Sequence, residues 1–297
     1  MSRIIKWFGI HTVLMSSLFF AVGCETVSRV GATVGEATGV LTSEEADALR
    51  RTYKDLTPEQ EYFIGRSVSA TILESYSVWD DPIATEYINL LGQALALASE
   101  RPETFGGYRF LILDSDEINA FAAPGGYIFV SRGMLAICAS EDELAAVLAH
   151  EIGHVQHQHG LQAIRTARIT SAFSIGAFAA ARTLGSQDVR QLTEIFGSTI
   201  EDVTHTLTTS GYSRRAEREA DAAAVAILKR VGYDPHALVR MLQHMEERLE
   251  PGGLDFARTH PPPQDRIREI QRLLRSIPAV EISSVRQARF EQALRAR

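Results

Sequence analysis

The stretch that most constrains this chain is "LAAVLAHEIGHVQHQHG", residues 144–160, which carries four histidines and one glutamate in ten consecutive positions. The preceding segment from Ser140 to Glu143 fits a capping box, and Gly160 fits a glycine stop after a helix. The pattern therefore predicts a helix over about 141–159.

Two of these histidines, His150 and His154, are four residues apart and share one face of the predicted helix. That spacing suits two imidazole nitrogens at ~2.0–2.1 Å from one zinc ion. Glu151 lies ~100° further around the helix, where it can reach a water on the metal without being a ligand. This is the His-Glu-x-x-His arrangement of zinc hydrolases. An amphipathic helix with incidental histidines is the alternative.

The other two histidines of the stretch fit a shared metal poorly. On a continuous helix, His157 lies more than ~10 Å along the axis from His150. His159 falls on the face opposite His150. We expect His157 and His159 to be surface or structural residues.

A catalytic zinc ion normally has three protein ligands and one open position. A third histidine ten residues after His150 is not available, because that position is Gly160. The segment "GYSRRAEREADAAAVAILKRVG" (211–232) offers a carboxylate instead. It predicts a helix with Ser213 as N-cap and Gly232 as stop.

On this second helix Glu217 and Asp221 are four residues apart and share a face, whereas Glu219 lies ~200° from Glu217 and points elsewhere. Small residues on the same side allow close approach to the histidine helix. We expect Glu217 to be the third ligand and Asp221 to orient a ligand histidine. The alternative is a solvated charged face on an alanine-rich helix.

The chain of 297 residues is 45% hydrophobic and 23% charged, which allows one sizeable core or two small ones. Its net charge of −7 does not favour a nucleic-acid partner. Most segments have helical patterns, but "YRFLILD" (108–114) and "YIFVS" (127–131) are typical of strands. The expected fold class is α+β and mostly α-helical, with a small sheet or hairpin at about 108–131 that is antiparallel at the hairpin.

The N-terminus has the pattern of a secretory signal: Arg3 and Lys6, an apolar run, and then "AVGC" ending at Cys24. We expect residues 1–23 to be removed and Cys24 to carry a lipid. An uncleaved membrane anchor is the alternative, although the run is shorter than the ~20 residues that usually span a bilayer. The remaining predicted divisions are a tether with a weak helix (24–55), a main domain (56–277) and a C-terminal extension (278–297).

Four ordered segments carry a family resemblance: "NAFAAPGGYIFVSRGML" (119–135), "ELAAVLAHEIGHVQHQHG" (143–160), "YSRRAEREADAAAV" (212–225) and "THPPPQDRI" (259–267). The chain resembles the M48 zinc metallopeptidases, the Ste24/HtpX-like gluzincins, over roughly residues 57–275. It looks most like their periplasmic BepA-like and LoiP-like lipoprotein members, without a tetratricopeptide domain. The resemblance implies a zincin-like catalytic domain whose active-site helix is the one at about 141–159.

The resemblance also implies roles for individual residues. It assigns one Zn²⁺ to His150, His154 and Glu217, makes Glu151 the general base, and places Asp221 behind the ligands. His260 of "THPPP" would lie over the site, either contacting the reacting carbonyl or capping the metal. Asn119 and Ala120 would begin an edge strand that pairs with an extended substrate; an ordinary edge strand is the alternative.

The function implied is that of a zinc metalloendopeptidase anchored by a lipid in the bacterial cell envelope and facing the periplasm. The outer membrane is favoured over the inner membrane as the site of the anchor. Its substrates would be misfolded or unassembled envelope proteins, and outer-membrane assembly machinery is a candidate partner. Two alternatives stay open. One is a non-catalytic, chaperone-like or assembly factor that keeps the peptidase fold; the other is a self-inhibited peptidase closed by His260 or by residues 161–211.

Overall fold

The computed structural model describes residues 56–163, 204–248 and 259–294. The predicted signal at 1–23, the lipidation site Cys24 and the tether at 24–55 lie outside these residues. Most of residues 161–211 lies outside them as well. None of the described helices is long and apolar enough to cross a membrane.

The described part of the chain is mainly helical with one small sheet, which confirms the predicted α+β class. The helices are α1 (Pro58–Ser75), α2 (Pro82–Leu97), α3 (Arg132–Ile137), α4 (Glu141–Gln156), α5 (Arg214–Val231), α6 (Ala237–Arg248), α7 (Pro263–Leu274) and α8 (Ser284–Leu294). The strands are β1 (Arg109–Leu113), β2 (Ala120–Ala123) and β3 (Tyr127–Ser131). Short irregular helices occupy Pro124–Gly126 and Thr206–Ser210.

Side-chain caps define where the first two helices begin. The Thr57 hydroxyl accepts a hydrogen bond from the Gln60 backbone N–H at 3.2 Å, and the Gln60 side chain accepts one from the Thr57 N–H at 3.0 Å. The Asp81 carboxylate accepts bonds from the N–H groups of Ile83 and Ala84, both at 3.0 Å. These bonds satisfy backbone donors that a helix leaves without partners in its first turn.

The sheet has the strand order β1-β3-β2, with β1 and β3 parallel and β2 and β3 antiparallel. The two strands expected from residue patterns, β1 and β3, therefore pair in parallel, and the antiparallel hairpin is made by β3 with β2. Residue patterns alone did not predict β2, because its sequence "AFAA" is short and rich in alanine, which has a weak preference for strands. Positive φ angles at Gly125 and Gly126 allow the tight connection between the two strands.

Helix α4 lies at the centre of the described core, and its residues from Glu141 to Val155 are all buried. It packs against α2, α5, α6 and the strand β2. A helix at a protein surface usually buries only one face. Because α4 is buried on every side, its acidic and histidine side chains must find their partners inside the protein.

The first turn of α4 shows how such a partner set is built. The Glu141 carboxylate accepts hydrogen bonds from the hydroxyls of Tyr87 at 2.9 Å and Tyr233 at 2.7 Å, and from Arg289 Nε at 2.7 Å. Burial raises the pKa of Glu141, but the bonds from Arg289, Tyr233 and Tyr87 outweigh burial and lower it. The carboxylate is therefore ionised, which also suits its place at a helix N-terminus.

Arg289 belongs to α8, inside the predicted C-terminal extension, so this helix contributes directly to the core around α4. We expect Arg289→Ala to lower the free energy of unfolding by about 1–2 kcal/mol. The reason is that Glu141 loses two charged donors while it stays buried, although the arginine side chain is itself 54% exposed. Chemical denaturation of the purified protein measures this change.

The matched control for this prediction is Arg268→Ala, because Arg268 pairs with the partly exposed Asp265 near the surface. Its effect should stay within about 0.5 kcal/mol. Equal losses in the two variants would mean that the Arg289–Glu141 contact contributes no more than a surface pair.

Candidate metal centre

The site forms where α4 and α5 cross at very short range. A Cβ atom placed on Gly153 of α4 would lie 2.9 Å from the backbone oxygen of Ala220 and 3.0 Å from its Cα on α5. Glycine on one helix and alanine on the other let the two backbones approach to this extent. The approach brings Glu217, one turn before Ala220, opposite the histidines of α4.

The spacing of the facing atoms matches one small metal ion. His150 Nε2 and His154 Nε2 are 3.1 Å apart, and the Glu217 oxygens lie 3.6 Å from the first and 3.5 Å from the second. Ligands held tetrahedrally at ~2.0–2.1 Å from zinc are about 3.4 Å from one another. His260 Nδ1 is 2.8 Å from Glu217 Oε2, and one ligand atom from each of the four residues lies within 4.8 Å of the others.

Hydrogen bonding provides an independent test of whether a cation fits here. The Glu217 Oε1 atom and both carboxylate oxygens of Glu151 are buried, and none has a hydrogen-bond partner within the described residues. Leaving a buried polar atom unsatisfied costs about 1–3 kcal/mol, and more for a charged group. A cation between the histidines and Glu217 would satisfy the Glu217 oxygen. The residues present therefore fit a bound metal ion.

The protonation states of Glu217 and His154 also suit metal binding. Burial raises the pKa of Glu217, but His260, His150 and His154 outweigh burial and hold it well below its usual range. Burial lowers the pKa of His154 well below 6.5, so its imidazole is neutral. A carboxylate and a neutral imidazole are the forms that bind metals.

His150 differs, because its metal-free form binds a proton tightly. Burial and Arg266 lower its pKa, but Asp221 and Glu217 outweigh them and raise it to about 9. A metal that binds to this histidine must displace that proton.

Glu151 faces the same cluster with a different electrostatic balance. Burial raises its pKa, and the neighbouring His150 and His260 side chains oppose that effect without cancelling it. A carboxylate with a raised pKa exchanges protons more readily near neutral pH than an ordinary surface glutamate does.

Asp221 and Arg266 support His150 from behind. Asp221 Oδ1 lies 3.0 Å from His150 Nδ1 and accepts a hydrogen bond from the proton on that nitrogen. The other ring nitrogen, Nε2, is then directed towards the cluster. Arg266 on α7 donates two hydrogen bonds to the Asp221 carboxylate, at 2.6 and 3.1 Å. Sequence reasoning did not single out Arg266. The one available signal was its place in "THPPPQDRI", six residues after His260.

His159 does not lie on the face opposite His150, where a continuous helix would have placed it, although it remains outside the group of candidate ligands. Helix α4 ends at Gln156, four residues before the expected glycine stop, and Gln158 has a φ of 55°. The chain turns there, so the geometry of a continuous helix no longer applies. His159 is buried, and its Nδ1 lies 2.9 Å from His154 Nδ1. His157 is partly buried and stacks on the His159 ring at 5.5 Å.

Sequence reasoning also missed Tyr212, which stands just before the α5 N-cap. Its ring stacks on His154 with the centroids 4.5 Å apart, and its hydroxyl lies 3.5 Å from the Ala122 carbonyl oxygen in β2. Burial raises the pKa of this phenol, and the nearby carboxylates of Glu151 and Glu217 raise it further. Tyr212 therefore connects the metal cluster to the strand at the sheet edge.

The residues expected to bind substrate lie beside the His260 segment. Ala120 begins β2, which is an edge strand in the described sheet. The side-chain oxygen of Asn119 is 3.5 Å from the hydroxyl of Thr259, the residue before His260. Asn119 and Ala120 are both buried in this arrangement.

Two histidines and a glutamate on crossing helices, with a second glutamate beside them, define a metal centre of the hydrolase class. Residues 82–274 match peptidase family M48, and the chain belongs to this family.

Three curated proteins illustrate the similarity. The beta-barrel assembly-enhancing protease of Escherichia coli (strain K12) is 29% identical over 194 residues, which cover 63% of this chain and 38% of that protein. The mitochondrial metalloendopeptidase OMA1 of Schizosaccharomyces pombe is 35% identical over 159 residues, covering 52% and 43%. Metalloprotease LoiP of Escherichia coli is 25% identical over 259 residues, covering 87% and 94%. The chain spans less than half the length of the first two.

The crossing of α4 and α5 gives a testable prediction at Gly153. Replacing a helical glycine by alanine usually stabilises a protein, by up to about 1 kcal/mol. Gly153→Ala should do the opposite, with a loss of about 1–3 kcal/mol, because the new methyl group meets backbone atoms of Ala220 that cannot move alone. Chemical denaturation gives the sign, and metal analysis should show reduced metal content as Glu217 is pushed away. A stabilised variant with full metal content would contradict the close approach.

Proposed function

We propose that this chain is a zinc metalloendopeptidase in which His150, His154 and Glu217 hold one Zn²⁺. The observation that carries the proposal is the tetrahedral spacing of these ligand atoms beside the Glu151 carboxylate, whose oxygens have no hydrogen-bond partner among the described residues. Two histidines and one glutamate form a known ligand set of catalytic zinc sites. The M48 family match supports the peptidase reaction.

Glu151 serves as the general base of this reaction. When bound, the zinc ion supplies Lewis acidity towards a carbonyl oxygen and a water molecule. Glu151 takes a proton from that water and returns it to the leaving nitrogen, which its raised pKa favours. Asp221 and Arg266 hold His150 in the tautomer that presents Nε2.

The substrate is an extended polypeptide that pairs with the edge strand β2 near Asn119 and Ala120. An extended peptide can add to a sheet edge through backbone hydrogen bonds, which depend little on its sequence. The proximity of Asn119 to Thr259 supports this site, because it sets the start of the strand beside His260. Entry of a peptide would require displacement of Tyr212 from the Ala122 carbonyl oxygen.

The proposed setting is the bacterial cell envelope, with the chain anchored by a lipid on Cys24 and facing the periplasm. The sequence "AVGC" at 21–24 supports the anchor. One relative is named for enhancing β-barrel assembly, and β-barrels are the spanning proteins of bacterial outer membranes. Misfolded or unassembled envelope proteins are therefore the proposed substrates, with outer-membrane assembly machinery as a proposed partner.

The activity is tested by casein cleavage with the wild type and Glu151→Gln. The variant should lose at least about 10²-fold in rate, because proton transfer by a positioned group contributes that much or more. Its zinc content should stay near one equivalent, since Glu151 is not a ligand, whereas Glu217→Ala should lose zinc. Equal cleavage by wild type and Glu151→Gln, with equal relief of envelope stress in cells, would favour the non-catalytic assembly factor.

A self-inhibited peptidase is a second candidate, favoured by the position of His260. Its Nδ1 lies 2.8 Å from Glu217, and its ring is 5.3 Å from that of His150. In that position His260 would join His150, His154 and Glu217 in holding the metal and would keep water from it. The same imidazole can also stabilise charge on the substrate oxygen once it has moved.

If His260 caps the resting site, His260→Ala should keep its zinc and raise basal casein cleavage and self-digestion. The control is the double variant Glu151→Gln/His260→Ala, in which both activities should vanish. A fall in turnover of about 10²–10³ without any basal rise would instead assign His260 only a transition-state role.

A further inference from the structure

The two ligand histidines of α4 are supported in different ways. His150 Nδ1 faces the Asp221 carboxylate, at 3.0 Å. His154 Nδ1 faces another imidazole, with its Nδ1 atom 2.9 Å from His159 Nδ1. The second nitrogen of His159 continues to Glu219 Oε2 at 3.2 Å. The chain of contacts from His154 through His159 thus ends at a carboxylate on α5.

The positions of the protons fix the direction of hydrogen-bond donation from His154 through His159 to Glu219. His154 can bind a metal through Nε2 only if its proton is on Nδ1, where it is donated to His159. His159 must then accept through Nδ1 and keep its own proton on Nε2. An ionised Glu219 only accepts, so it stabilises the Nε2–H form of His159. The opposite tautomers would put a proton on His154 Nε2 and block the metal.

The environment of Glu219 supports its ionised form. Its Oε1 accepts a hydrogen bond from Arg215 Nε at 2.9 Å. Its other oxygen, Oε2, faces His159 Nε2 at 3.2 Å, so both carboxylate oxygens face nitrogen donors. Glu219 does not reach the metal cluster itself, since its side chain is 34% exposed while His159 is buried between the two.

We propose that His159 and Glu219 are positioning residues that fix the tautomer and orientation of His154 as a metal ligand. This rests on the proposed zinc site. Partners behind ligand histidines commonly contribute about 10–100-fold to metal affinity. His159 therefore acts on zinc binding by way of His154, without contacting the ion.

The test compares two replacements of His159 in the full-length protein. Leucine fills a similar volume but cannot accept the His154 proton. Asparagine carries its oxygen near the position of the imidazole Nδ1, so it can accept that proton. Competition with a chromophoric chelator gives the zinc dissociation constant, and the visible spectrum of the Co²⁺-loaded protein reports the ligand geometry.

His159→Leu should weaken zinc binding by about 10–100-fold and alter the Co²⁺ spectrum. His159→Asn should restore affinity and spectrum close to those of the wild type. His157→Leu is the matched control, because His157 stacks on the same ring without touching His154 and should leave affinity unchanged. If His159 only fills space, the His159→Leu variant will bind zinc as tightly as the His159→Asn variant. That result would overturn the proposal.

A variant of Glu219, the last residue in this series of contacts, tests the proposal if His159→Leu fails to fold. Glu219→Gln can donate to His159 Nε2 and thus permits the wrong tautomer, so zinc binding should weaken. Glu269→Gln is its control, since Glu269 is comparably exposed and pairs only loosely with Arg218 at 3.8 Å. Equal zinc affinity in the two would overturn the role of Glu219. A wild type that binds no zinc would refute the proposed function instead.

Discussion

The metal centre depends on one contact, the backbone approach of α4 and α5 at Gly153 and Ala220. A single helix cannot place two histidines and an opposing carboxylate around one tetrahedral metal ion. Two helices can do so only if they cross closer than ordinary side chains allow. Gly153 and Ala220 contribute no chemistry, but their small size permits the close approach that brings Glu217 opposite His150 and His154.

Burying so many ionisable groups is costly unless every charge has a partner. The fold meets this requirement at both ends of α4 with residues distant in sequence. Arg289 reaches Glu141 in the first turn, and Arg266 holds Asp221 behind His150. The charges along the helix thus form separate neutralised sets, and Glu151 stands out because its oxygens have no such partner among the described residues.

Local spacing made part of this arrangement predictable from the sequence. Four-residue separations placed His150 with His154 and Glu217 with Asp221, and polar side chains with a glycine marked the ends of α5. Three features depended on tertiary structure instead. Helix α4 stops at Gln156, so His159 lies beside His154 and not on the opposite helix face. Arg266 meets Asp221 from another helix. The segment "AFAA" has little strand preference of its own and forms β2 because of its neighbours.

The complete burial of α4 has a consequence for how this protein tolerates substitution. A helix at a surface accepts polar changes on its solvent face, so its permitted replacements recur with the helical repeat. From Glu141 to Val155 no face of α4 offers that freedom. Its sequence is constrained at consecutive positions, as in a core strand. We therefore expect the fifteen residues from Glu141 to Val155 to form an unbroken block in which polar replacements lower stability at every position.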